Sequence, residues 1–120
     1  MTVKIYLRAI VRRKEKCLAL FDSNREGDIN NLFTDVPSGG TIIWKPDCCS
    51  GIKKIVRIIP EKADVHPVFK SNPKKLLLCR GFIYRLEKGA EGEEKYTIEC
   101  ILCNNTKLTV DPFIRIPPVR

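Results

Sequence analysis

Histidine, methionine and tryptophan occur once each in the 120 residues, as His66, Met1 and Trp44. With a single imidazole and no serine in a nucleophile-elbow setting, a base, a nucleophile and an orienting acid cannot be assembled into a hydrolase centre. The chain also lacks a glycine-rich phosphate loop, and neither a zinc-finger spacing nor an RNA-recognition aromatic motif is present. Glu91, Glu93 and Glu94 share one loop, but no ladder of Asp or Asn accompanies them to complete a hard-cation site, so they read as a solvated loop. Long apolar runs are missing too. Runs such as Leu76-Leu77-Leu78-Cys79 are far too short to cross a bilayer. The stretch from Met1 to Arg8 is interrupted by charge and lacks the apolar region of a signal peptide. A cytoplasmic protein with no membrane span is expected.

What is present is the composition of one globular domain over residues 1–120. Hydrophobic residues make up 43% and charged residues 30%, with 7 Gly and 8 Pro, which excludes collagen-like and disordered chains. Lys and Arg number 22 against 14 Asp and Glu, for a net charge of +8. The excess is dispersed along both halves of the chain, and strand edges commonly carry Lys to block edge-to-edge pairing, so the charge argues against nucleic acid as a partner. The clusters that could still hold an anionic surface are Arg12 and Arg13, in a charged hairpin turn, and Lys53 and Lys54, in a later apolar stretch. The six cysteines, Cys17, Cys48, Cys49, Cys79, Cys100 and Cys103, are expected to be reduced in a cytoplasmic setting.

The hydrophobic period is that of strands. Val3, Ile5, Leu7, Ala9 and Val11 alternate with Lys4, Tyr6, Arg8 and Ile10, and Tyr96, Ile98, Cys100 and Leu102 alternate with Thr97, Glu99 and Ile101. Further strands are expected at Cys17 to Phe21, Thr41 to Lys45, Ile52 to Ile59 (with blurred alternation), Leu76 to Leu86, Leu108 to Val110 and Phe113 to Ile116. A polar loop runs from Asp22 to Asp35, with room for one helical turn near Ile29 to Phe33. Residues 60–75, with Pro60, Pro67 and Pro73, read as a surface crossover, and His66 within it as a surface residue. The expectation is all-β: a single antiparallel Greek-key β-sandwich of about seven or eight strands. Trp44, Ile5, Leu7, Ile43, Val56, Tyr96 and Ile98 are its expected buried residues.

Two segments resemble the cupredoxin-like β-sandwich. Val36-Pro37-Ser38-Gly39-Gly40-Thr41-Ile42-Ile43-Trp44, followed by Ile55-Val56, is similar to the family's entry into its central strands. Gly92 to Cys100 is similar to the strand that supplies the copper-ligating thiolate. The resemblance implies a fold and not an activity. Carried over by position, the two imidazoles fall near Lys53 and at Cys103, the thiolate at Cys100 and the axial methionine near Leu108, and only the thiolate is retained. Blue-copper chemistry requires the mixed nitrogen and sulfur set. The resemblance also implies that the loop holding Cys48 and Cys49 lies beside Cys100 and Cys103, a four-sulfur set that would select Zn(II) or Cu(I). Against convergence, Cys100 and Cys103 lie at opposite-face positions of a strand, which leaves core thiols and no cofactor as the default. The ending Asp111-Pro112-Phe113-Ile114 is similar to the bacterial inclusion-body protein family. The function expected is a non-enzymatic binding or structural module with a protein partner or self-association. The alternatives are thiolate metal binding and anion binding through basic strand faces.

Overall fold

The computed structural model describes residues 1–21, 33–47, 49–76 and 80–118. In chain order the described strands are β1 (Thr2–Arg12), β2 (Glu15–Phe21), β3 (Phe33–Asp35), β4 (Thr41–Pro46), β5 (Ile52–Pro60), β6 (Lys74–Lys75), β7 (Phe82–Arg85), β8 (Gly92–Leu102), β9 (Lys107–Val110) and β10 (Phe113–Ile116). No helix occurs among the described residues. The strands form two mixed sheets of five. The first has the order β2-β1-β4-β7-β6; the second has the order β3-β10-β8-β5, with β9 also paired to β8. The long strand β8 serves two partners in succession, β10 over Gly92 to Lys95 and β9 over Ile98 to Ile101.

The all-β expectation holds, with corrections in detail. Pairing is not wholly antiparallel: β1 runs parallel to β4, and β10 parallel to β3. A parallel return needs a crossover longer than a hairpin, and the chain between β1 and β4 contains β2 and β3. The short strands β3 and β6 take the described number past seven or eight. The helical turn expected near Ile29 lies outside the described residues, except at Phe33, which begins β3. Of the strand expected at Leu76 to Leu86, β7 covers Phe82–Arg85, while Leu77, Leu78 and Cys79 lie outside the described residues.

The blurred alternation of β5 has a physical cause. Its register against β8 slips by one residue between Ile52 and Lys54 and again between Ile55 and Arg57. Each slip is a bulge that inserts one unpaired residue, so inward positions recur every third residue, at Ile52, Ile55 and Ile58, all buried. Val56 occupies one bulge and is only half-buried, which corrects its placement in the core. Ile43 is also half-buried, because its neighbours Ile42 and Trp44 take the inward positions of β4. The expected core residues Ile5, Leu7, Trp44, Tyr96 and Ile98 are fully enclosed.

The crossover after β5 is not a surface strap. Val68 and Phe69 are buried, and the Phe69 ring lies 5.1 Å from Tyr84, 5.4 Å from Tyr96 and 6.4 Å from Trp44, centroid to centroid. The Trp44 indole N–H donates to the Tyr96 hydroxyl at 3.0 Å, joining the two sheets within this aromatic cluster. Glu94 holds the crossover in place. Its buried carboxylate accepts the Val68 and Phe69 backbone N–H groups on Oε1 at 2.9 and 3.0 Å, and the His66 ring lies 2.6 Å from Oε2 through Nδ1. Lys70 N–H donates to the Tyr84 hydroxyl at 2.7 Å, and Lys70 Nζ donates to the His66 carbonyl at 2.8 Å. Glu94 is therefore not part of a solvated acidic loop, and His66 is a half-buried tether instead of a surface residue. Glu94→Ala strands two buried donors, each worth about 1–3 kcal/mol. Urea denaturation should show a loss of about 2–5 kcal/mol on this ground, and a loss below about 1 kcal/mol would contradict the tether.

Candidate functional site

The described cysteines of the candidate four-sulfur set fall in two environments. Cys100, on the inward face of β8, is fully buried opposite Ile55 of β5 and Leu108 of β9. Cys103, just past the end of β8, and Cys49 are exposed; Cys48 lies outside the described residues. The two loops do meet, since Cys103 N–H donates to the Gly51 carbonyl at 2.9 Å. Yet among the described residues no group of three or more His, Cys, Asp and Glu side chains gathers in a way that could hold a metal ion. Desolvation, and then the neighbouring Glu99 carboxylate, pushes the Cys100 thiol up to about 12 from 9.0, the opposite of what a thiolate ligand or nucleophile needs.

The basic residues singled out in the sequence do not form one site either. Lys53 and Lys54 lie on β5 in the second sheet, where Lys53 Nζ donates to Asn105 Oδ1 at 3.4 Å and the Lys53 carbonyl accepts from Arg80 at 2.9 Å. Arg12 and Arg13 lie at the far end of the first sheet. The pairing of Arg12 with Glu15 closes a two-residue hairpin whose central residues, Arg13 and Lys14, both have positive φ, 51° and 66°. That is the signature of a type I′ turn, where Asn-Gly is the preferred pair. Two long side chains in left-handed backbone cost stability, on the order of 1 kcal/mol each. The chain therefore presents adjacent cations at a turn where an uncharged pair would be more stable.

The strand registers reveal an arrangement that linear spacing does not show. Across the outer face of the first sheet, Lys74, Ile83, Ile43 and Lys4 form one row; Lys45, Tyr6 and Phe21 form the next; Arg85, Thr41 and Thr2 lie on the other side. Further along β1 come Arg8 opposite Ala19, Ile10 opposite Cys17, and Arg12 opposite Glu15. Glu15 is the single acid among these positions. Arg8 is engaged with the buried Asp47 carboxylate at 3.0 Å. The side chains of Lys45, Lys74 and Arg85 make no ion pair or hydrogen bond among the described residues.

The outer face of the second sheet sets acids among its cations. Arg115 forms a two-pronged contact with Asp35 at 2.8 and 3.3 Å, and the Thr97 hydroxyl donates to Asp111 at 2.7 Å. Arg57 Nε lies 2.9 Å from Glu99 Oε2, an ion pair whose alignment falls short of a hydrogen bond. Phe33 and Phe113 stack at 4.6 Å beside Arg115 and Lys95. The acids of the two sheet faces thus lie mainly on the second. Sequence reading found the alternation of Lys4, Tyr6 and Arg8. It could not find their neighbours, because strand order and the parallel β1–β4 pairing are not encoded in local period.

Two outcomes follow. Arg13→Asn with Lys14→Gly should stabilise the fold by about 1 kcal/mol, read as a higher urea midpoint; an unchanged or lower midpoint would mean that the turn is not strained. For Tyr96, burial raises the phenol pKa, and the Trp44 hydrogen bond offsets part of that rise. In the unfolded chain both Cys100 and Tyr96 ionise at lower pH than in the fold, so the folded state binds the extra protons. Stability should then be level through neutral pH and fall as pH rises past about 9, each group contributing up to about 1.4 kcal/mol per pH unit. Cys100→Ala should delay that fall to about pH 10, where phenols begin to ionise. Urea midpoints measured from pH 7 to pH 11 check this, and an identical profile in the variant would contradict it.

No protein-family model matches the chain and no curated protein matches it, so its function rests on the chemistry of these faces and loops.

Proposed function

We propose that the protein is a non-enzymatic binding module, on a cupredoxin-like Greek-key scaffold without blue-copper activity, that holds a polyanionic ligand against the outer face of its first sheet. A cytoplasmic setting, where its exposed thiols stay reduced, suits this role. The observation that carries the reading is the segregation of charge. Lys4, Arg8, Arg12, Lys45, Lys74 and Arg85 share one sheet face, where Glu15 and the Asp47 bound by Arg8 are the acids, while the opposite face interleaves its cations with Asp35, Glu93, Glu99 and Asp111.

A patch of one sign raises the local concentration of an oppositely charged polymer and gains from the counterions released when it docks. The hairpin tip extends this face with Arg13 and Lys14, both exposed. The strain at the tip fits the same reading, since the turn gives up stability to display charge. The role of His66 and Glu94 is structural, because both are committed to the crossover.

Labelled heparin serves as a generic polyanion. Its affinity, followed by fluorescence anisotropy, should fall steeply between about 50 and 300 mM salt. The double charge reversal K74E/R85E, at two exposed positions, should weaken binding by about tenfold or more, while K53E/K54E on the second sheet should stay within about twofold. Absence of heparin binding at low salt, or equal losses from both double variants, would refute the proposal.

A further inference from the structure

We infer that the polyanion is a single-stranded nucleic acid, whose bases stack on Tyr6 and Phe21; this rests on the polyanion reading above. Tyr6 and Phe21 are direct cross-strand partners at one end of the row that contains Lys45, and Lys4 and Arg8 precede and follow Tyr6 on the same face of β1. Both rings are half-buried, held at the level of the sheet with the cations around them. Ile43 and Ile83 continue the apolar part of the face between Lys4 and Lys74. Aromatic side chains interleaved with Lys and Arg on a sheet face are the arrangement that binds unpaired strands: cations follow the phosphates, and bases stack on the rings.

The alternatives use this face less well. A duplex or a sulfated sugar presents charge and no unpaired base, so the rings and isoleucines would have nothing to recognise. An anionic lipid surface would be met by apolar side chains that project past the cations. The exposed apolar side chain of the hairpin is Val11, 69% exposed, and it lies on the other face of β1, in alternation with Ile5, Leu7 and Ala9.

The test uses the full chain and a labelled oligothymidine of about 15 nucleotides, with its duplex, heparin and vesicles of phosphatidylserine as comparators. The oligothymidine should bind more tightly than the duplex of equal length. Y6L and F21L, which keep bulk and remove the ring, should each weaken oligothymidine binding by about tenfold and leave heparin binding within about twofold; Y6F should bind as the parent does. Where a leucine variant does not fold, photo-crosslinking of the unaltered protein to an oligonucleotide carrying 4-thiothymidine gives the answer, with crosslinked peptides containing Tyr6 or Phe21 expected. Tighter binding to the duplex or the vesicles, normal oligothymidine binding by both leucine variants, or crosslinks confined to the second sheet would overturn this inference while heparin binding persists. Loss of heparin binding as well would remove the polyanion reading beneath it.

Discussion

One buried carboxylate governs how the two sheets close on each other. Glu94 stands at the start of the inward row of β8, where a charge is tolerated because both of its oxygens are engaged, by the Val68 and Phe69 amides and by His66. Through those contacts the crossover turns inward and delivers Phe69 to the cluster of Trp44, Tyr84 and Tyr96. The aromatic cluster draws on β4 and β7 of the first sheet and β8 of the second, so the carboxylate fixes the crossover and the crossover helps to fix the sheets. A rigid platform of this kind is what a ligand-binding sheet face requires, since side chains displayed on it keep their spacing without an ordering cost at each encounter.

Strand periodicity made much of the fold legible in the sequence. β1 and β8 alternate cleanly, and their inward residues are those expected. The failures have definite causes. Period 2 cannot register a bulge, and the inward set of β5 is fixed by its two slips against β8 and not by alternation. A proline-rich, charged segment reads as surface by composition, and neither proline nor charge reveals that two of its amides meet a buried carboxylate 25 or 26 residues further on. Direction of pairing was equally hidden. The parallel β1–β4 contact follows from the path of the chain between them and leaves no local mark on either strand.

The same limit explains the site. Lys4, Lys45, Lys74 and Arg85 are far apart along the chain and look like dispersed solvating charge. Sheet order brings them onto one face with Tyr6 and Phe21. The residues that linear clustering selected were divided between the two sheets, with Arg12 and Arg13 in the first and Lys53 and Lys54 in the second. Charge segregation in a sandwich is a property of register, and each strand reveals only its own alternate residues. The thiols follow a related logic: Cys100 belongs to the inward row of β8 and is governed by desolvation, whereas Cys103 lies beyond the end of the strand and is exposed.

The central claim is that one sheet face receives the ligand and the other does not. A backbone and side-chain chemical-shift map of the unaltered protein, recorded during titration with heparin at low salt, tests it most directly. The account predicts perturbations on β1, β4 and β7 around Tyr6, Lys45 and Arg85 and at the hairpin tip, with the outward residues of β5 and β8 unmoved; perturbations centred on Lys54, Arg57 or Lys95 would contradict it.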